Sequence, residues 1–203
     1  MTTHSSIIYI LDDDARVRGA LVAWLTSIGR CTLAFASAAE FMAFPKPNLP
    51  GCLILDLQMP DMNGFQLQEE LLRGNGPPII FLTGYGNIPA SVKAMKAGAV
   101  EFLAKPFEQN ELLRAIDEAI ENDRRSKAES EEIRSLRTRY ELLTPREREA
   151  FLYVVQGLPN KLTADHMGLS EIMVRIHRSN LMKKMEAESL AELVVMATRL
   201  RII

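Results

Sequence analysis

Gly51-Cys52-Leu53-Ile54-Leu55-Asp56-Leu57-Gln58-Met59-Pro60-Asp61-Met62-Asn63-Gly64 runs four apolar residues straight into one aspartate, then into a turn built from Pro, Asn and Gly. A continuous apolar run bounded by turn residues suits a strand buried on both faces of a parallel sheet. Asp56 then stands at the carboxyl end of that strand, the edge where chemistry collects in open α/β sheets.

The same pattern recurs on either side. Ile7 to Leu11 is an apolar run ending in Asp12-Asp13-Asp14, and Val17, Leu21, Trp24, Leu25 and Ile28 follow at helical spacing up to Gly29. Cys31 to Phe35 reads as a second strand, and Ser37 with Glu40 as a capping box. Pro45, Pro47 and Pro50 form the loop before the Asp56 strand. A helix is expected over Phe65 to Leu72, broken by Gly74-Asn75-Gly76-Pro77-Pro78. Ile79 to Leu82 is a fourth strand ending at Thr83-Gly84, followed by a helix from Pro89 to Ala97. Glu101 to Leu103 is a fifth strand ending in Ala104-Lys105-Pro106, and Asn110 caps a helix to about Ile120. Regular strand–helix alternation predicts an α/β doubly wound, five-stranded parallel sheet with helices on both faces.

Composition agrees with a soluble globular chain: 203 residues, 47% hydrophobic, with no apolar run approaching the ~20 residues of a membrane span. The opening Met1 to Ser6 lacks the basic-then-apolar build of a signal peptide, so a cytoplasmic protein with no membrane partner is expected. Cys31 and Cys52, in apolar runs, read as reduced core residues. The net charge of −2 conceals an asymmetry. Residues 1–120 carry 9 basic against 13 acidic side chains, residues 121–142 carry 6 of each, and residues 143–203 carry 9 against 7. Nucleic acid is a candidate partner only for the last part.

In a doubly wound sheet the strand ends share one edge, which gathers Asp12, Asp13, Asp56, Thr83 and Lys105. Three crowded carboxylates repel one another unless a cation joins them. Mg²⁺ characteristically binds through one or two carboxylates together with phosphate oxygens and waters. A nearby lysine supplies a point charge for a phosphoryl oxygen, and a threonine hydroxyl donates to another. The cluster therefore suits a phosphoryl group on Asp56, with metal and lysine stabilising charge during transfer.

Beyond Ile120, residues 121–142 mix charges without Gly or Pro, and Ile133, Leu136, Tyr140 and Leu143 recur at 3-4-3 spacing. Two readings stand: a helical linker with a short coiled seam, or a solvated tether. Thr144-Pro145-Arg146-Glu147 opens a helix that Gly157 ends. Asn160 to Met167 is a short helix, Gly168-Leu169 a turn, and Ser170 caps a helix to about Met185. Helix, Gly-containing turn and helix is the helix-turn-helix outline. Ser189 to about Leu200 adds a fourth helix that packs or dimerises. No acid interrupts Ile172 to Met185, and Arg175, Ile176, Arg178, Ser179, Lys183 and Lys184 lie mostly away from the Val174, Leu181, Met185 stripe. Such a face offers cations to phosphates and side chains to base edges in the major groove.

The Asp12-Asp13 pair, Asp56 with Met59-to-Gly64, Thr83-Gly84 and Lys105-Pro106-Phe107 together resemble the receiver domain of two-component response regulators, a flavodoxin-like fold, over residues 1–120. That resemblance implies phosphorylation of Asp56, Mg²⁺ held by Asp12, Asp13, Asp56 and the Gln58 backbone carbonyl, and phosphoryl contacts from Thr83 and Lys105. It also implies a cis Lys105-Pro106 bond, a switch pairing Thr83 with Phe102, and a small Gly84 that leaves the acyl phosphate open to water. The stretch from Gly86 to Ala99 is similar to the subgroup of nitrogen-fixation and aromatic-degradation regulators. That subgroup is expected to dimerise through the fourth helix, fifth strand and fifth helix, or through the first and fifth helices.

Residues 143–203 resemble the small all-α, four-helix output domain of LuxR/NarL/FixJ-type regulators, which would leave 121–142 as a helical linker. The resemblance turns Arg175, Ile176 and Ser179 toward the major groove and Lys161, Arg178, Lys183 and Lys184 toward phosphates, with His177 packed on the scaffold. Thr163, Met173 and Ser179 depart from the family's usual residues and leave the operator open.

The expectation is a response regulator, not an enzyme. A sensor histidine kinase phosphorylates it on Asp56, whereupon it forms a homodimer and binds promoter double-stranded DNA at half-sites about 10 base pairs apart, with RNA polymerase a further candidate partner. The alternative is a phosphorylation-independent DNA-binding regulator whose receiver serves only dimerisation or protein contacts. A Mg²⁺-dependent aspartyl-phosphate phosphatase would need an acid two residues after the nucleophile, where Gln58 stands. A receiver whose output domain binds RNA or protein would not need the basic recognition-like helix.

Overall fold

The apolar runs become five parallel strands in the order β2-β1-β3-β4-β5. The structure, a computed structural model, describes residues 6–60, 62–74, 76–84 and 88–203. Met1 to Ser5, the turn residues Asp61 and Asn75, and Gly86-Asn87 of the subgroup-bearing stretch lie outside the described residues. In chain order the elements are β1 (Ile7–Leu11), α1 (Ala15–Ser27), β2 (Thr32–Phe35), α2 (Ala38–Ala43), β3 (Gly51–Leu55), α3 (Gly64–Arg73), β4 (Ile79–Thr83), α4 (Ile88–Lys96), β5 (Glu101–Ala104) and α5 (Gln109–Glu141). They continue with α6 (Pro145–Val155), α7 (Asn160–Met167), α8 (Glu171–Met185) and α9 (Leu190–Arg199).

Every residue of β1, β3 and β4 is buried, as central strands covered on both faces require, whereas the edge strands β2 and β5 are partly exposed. Alternation along the strands divides the core in two. Tyr9, Leu11, Leu53, Leu55 and Phe81 face α2, α3 and α4 through Phe41, Leu67 and Ala94. Ile8, Ile10, Ile54 and Ile80 face α1 and α5 through Leu21, Leu25, Leu112 and Ile116. Leu11 pairs with Leu55 and Thr83 with Ala104, so the residues that follow each strand emerge at one edge.

The chain folds as two compact units, one ending at Lys127 and the other beginning at Ala128. Of the two readings of residues 121–142, the helical one describes the chain: α5 continues without a break to Glu141. Nothing in that stretch interrupts helix propagation, since Gly and Pro are absent. Three of the four 3-4-3 residues, Leu136, Tyr140 and Leu143, join the core around Phe151, with Tyr140 edge-on to that ring; Ile133 is half-buried and is not part of that core. In this second unit Thr144 and Glu147 form the expected capping box of α6. Gly168 takes the left-handed conformation (φ 64°) in the turn between α7 and α8, a position that favours glycine. Ser170 caps α8 and Ser189 caps α9.

Candidate functional site

The acids meet at the carboxyl edge of the sheet because β1 and β3 are adjacent and in register. Asp12 follows β1 directly and is buried, Asp13 is exposed beside it, and Asp56 follows β3. One carboxylate oxygen from each of the three lies within 4.8 Å of the others. Lys105, just past β5, donates from Nζ to Asp12 Oδ2 at 2.5 Å and to Asp56 Oδ2 at 2.8 Å. The Gln58 amide donates to Asp56 Oδ1 at 3.1 Å, which folds the following loop back over the aspartate. The Lys105-Pro106 bond is cis, as the resemblance implied.

Packing holds this geometry. Gly64, the first residue of α3, presses against the end of β3, and a Cβ there would come within 2.9 Å of the Asp56 carbonyl. Asn63 caps α3 through a capping box with Gln66, fixing where the Asp56 loop ends. Thr83 is fully buried at the end of β4. Phe102, on β5, is half-buried, and its ring lies 5.9 Å from that of Phe81. Beside the acids runs a cleft of ≈370 Å³ lined by Asp13, Leu57, Gln58, Met59, Pro60 and Asn63.

Electrostatics follows from this crowding. Burial pushes the Asp12 carboxyl above its usual value, and the Lys105 hydrogen bond only partly offsets it. Burial acts to lower Lys105, but the Asp12 and Asp56 carboxylates outweigh it and raise its pKa. The residues fit a hard divalent ion: three carboxylates converge, and the one cation reaching them among the described residues is Lys105, which bonds two of the three.

In the second unit α8 buries Val174, Leu181 and Met185 against the scaffold. Arg175, Ile176, Ser179 and Lys183 are exposed on it, and Lys161 is exposed on α7. Arg178 is half-buried and donates to Asn160 Oδ1 at 3.3 Å. Lys184 differs from the other basic residues. Its Nζ donates to the buried Glu147 carboxylate at 2.6 Å and to the Leu142 carbonyl at 3.2 Å, tying α8 to the start of α6. Burial alone would raise Glu147, but the Lys184 and Thr144 hydrogen bonds hold its carboxyl below the usual range.

Two further residues shape the acidic turn. Asp14 is the N-cap of α1, accepting from the Arg16 amide. Arg18 reaches back from α1 to the carbonyls of Asp12 and Asp13. A basic residue one turn into the helix after an acidic pair is the sequence signal for Arg18.

Comparison with known proteins converges on the same architecture. Residues 8–117 match the family described as "Response regulator receiver domain", and residues 141–197 match "Bacterial regulatory proteins, luxR family". "Nodulation protein W" of Bradyrhizobium diazoefficiens is 42% identical over 198 residues, covering 97% of this chain and 87% of that protein. "Transcriptional regulatory protein FixJ" of Rhizobium meliloti is 42% identical over 192 residues, covering 94% of each. The solved structure of the response regulator StyR superposes with a TM-score of 0.85 at 39% identity, covering 96% of this chain and 99% of that one. With a receiver domain, a LuxR-type helix-turn-helix domain and relatives matched along nearly their whole length, the chain belongs to the two-component response regulators that act on transcription, a family of regulators and not of enzymes.

Proposed function

We propose that this regulator is switched by phosphorylation of Asp56 by a sensor histidine kinase, dimerises in that state, and binds promoter DNA through α8. The observation that carries this reading is the convergence of Asp12, Asp13 and Asp56 on one point with Lys105 held to two of them.

Asp56 Oδ attacks the phosphorus of a phosphohistidine; the P–N bond breaks, the imidazole leaves with its electron pair and takes up a proton, and an acyl phosphate forms. Asp12, Asp13, Asp56 and the Gln58 carbonyl would hold Mg²⁺, which would supply charge neutralisation for the transferring phosphoryl oxygens. Lys105 follows the phosphoryl group as a second cation. The Gln58 amide holds one Asp56 oxygen, leaving the other to Lys105 and to transfer. Thr83, at the adjacent strand end, turns its hydroxyl to the new phosphoryl oxygens, and Phe102 follows inward. The receiver face that thereby changes is the dimer surface.

In the output unit Arg175, Ile176 and Ser179 read base edges while Lys161, Arg178 and Lys183 face phosphates. Lys184 is spent mainly on Glu147, so its proposed phosphate contact is secondary to its scaffold role. No helix among the described residues is long and apolar enough to cross a membrane, and a DNA-binding role places the protein in the cytoplasm.

The reading is tested by incubating the full chain with acetyl phosphate and Mg²⁺ and locating the incorporated phosphoryl group by mass spectrometry. A modified Asp56, with none incorporated by Asp56→Asn or in EDTA, is expected. Equal incorporation by wild type and Asp56→Asn contradicts it.

A further inference from the structure

We infer that Arg18 is a positioning residue for the divalent cation: by clamping the backbone of Asp12 and Asp13 it sets both carboxylates in metal-binding register. The inference rests on the reading of the acidic cluster as a Mg²⁺ site.

Arg18 Nη1 donates to the Asp12 carbonyl at 2.7 Å and to the Asp13 carbonyl at 2.9 Å. One nitrogen with two hydrogens thus bridges consecutive peptide groups of the acidic turn. The rest of the turn is tied by other means. The Asp14 amide donates to Asp12 Oδ1 at 2.9 Å, and the Arg16 amide donates to Asp14 Oδ1 at 2.8 Å. The Arg18 amide itself donates to the Asp14 carbonyl at 3.0 Å, which anchors its helical turn to the same loop.

The two carboxylates depend on this clamp to different degrees. Asp12 is buried, and both its oxygens have partners, the Asp14 amide and Lys105. Asp13 is exposed, and its carboxylate makes no hydrogen bond or ion pair among the described residues. With no partner of its own, the Asp13 side chain is confined only through its backbone. Arg18 holds the Asp13 carbonyl, and so fixes the Cα–Cβ vector from which the carboxylate reaches the common point. Mutating groups that orient metal ligands from behind typically costs about 10- to 100-fold in metal affinity.

The guanidinium also brings a positive charge close to the acids, and charge alone would oppose an incoming cation. Positioning and charge therefore predict opposite signs. If Arg18 acted through charge, removing it would tighten Mg²⁺ binding; if it acts by positioning, removal weakens it.

The test uses the full-length protein and its Arg18→Met and Arg18→Lys variants. Mg²⁺ titration is followed by the amide shifts of Asp13 and Asp56, with melting curves in EDTA as a check on folding. Arg18→Met is expected to raise the half-saturating Mg²⁺ concentration about tenfold at a near wild-type melting temperature. Its phosphorylation rate from acetyl phosphate should recover toward wild type at saturating Mg²⁺. Arg18→Lys, which keeps the charge and part of the donor geometry, should fall between. Unchanged or tighter Mg²⁺ binding by Arg18→Met, with wild type titrating normally, overturns this inference alone. A wild type that shows no Mg²⁺-dependent shift overturns it together with the metal-site reading.

Discussion

Lys105 donates to Asp12 at 2.5 Å while also reaching Asp56 at 2.8 Å, so a single ammonium group is shared between a metal-ligand candidate and the proposed phospho-acceptor. In the metal-free protein it offsets the repulsion among the acids, which a divalent ion would otherwise relieve. Lys105→Met removes that offset. The variant is expected to melt a few degrees lower than wild type in EDTA and to gain more from added Mg²⁺, since a ligand bound only to the folded state stabilises it by mass action. Thermal melts with and without Mg²⁺ check this; equal Mg²⁺-dependent shifts in the two proteins would contradict it.

Gly64 bears on the same site through space alone. A methyl group at this position meets the Asp56 carbonyl at 2.9 Å, the Phe81 ring at 3.0 Å and the Leu57 Cα at 3.1 Å. Two of those contacts are backbone, so the strain falls on the loop that follows Asp56. Gly64→Ala is expected to destabilise the receiver by about 1–3 kcal/mol, the usual cost of overpacking. It should also slow phosphorylation of Asp56, measured by denaturant melts and phosphoryl incorporation. Gly74→Ala, where a Cβ has 3.7 Å to its nearest neighbour, serves as the control.

Much of this arrangement was legible in the sequence, because it rests on local rules. Buried strands announce themselves as apolar runs, and the residues that end them fall on one edge once the strands are parallel. Thus Asp12, Asp56, Thr83 and Lys105 fall on one edge from the pattern of apolar runs alone. The capping box at Thr144 and the Ser170 cap were similarly local, as was the glycine turn at Gly168. What the sequence left open depended on tertiary partners. Whether residues 121–142 were helix or tether turned on whether Leu136 and Tyr140 found a core, and Phe151 supplies it. Lys184 looked like one cation among several on a basic helix. Its separate role comes from Glu147, 37 residues away in sequence.

That pairing makes Lys183 and Lys184 behave differently, although they are neighbours on α8. Lys183→Ala should leave folding unchanged and reduce the salt dependence of DNA binding by about one phosphate contact. Lys184→Ala should instead leave the buried Glu147 carboxylate without its cation, held only by the Thr144 cap, and destabilise the output unit by about 2–4 kcal/mol. Denaturant melts together with salt-dependent DNA binding of both variants measure the difference. If both variants lowered the salt slope equally at wild-type stability, the scaffold role of Lys184 would be excluded.

The Glu147 pair also sets a pH dependence. Its carboxyl is held below the ordinary value of 4.5 in the folded protein. The unfolded chain therefore binds the proton more readily, and the stabilisation is fully present above pH 4.5. It is lost as pH falls through the lower folded-state value. Glu147→Gln should flatten that acid limb in the unfolding of the second unit, seen by pH-dependent denaturant melts, while lowering stability at neutral pH.

The central claim is that phosphorylation of Asp56 controls assembly. Its most direct measurement is sedimentation velocity of the full chain with and without beryllofluoride and Mg²⁺, on wild type and Asp56→Ala. A monomer-to-dimer shift in wild type alone is the expected result. No shift in wild type, together with unchanged affinity for a promoter fragment, would contradict the claim and favour a phosphorylation-independent regulator.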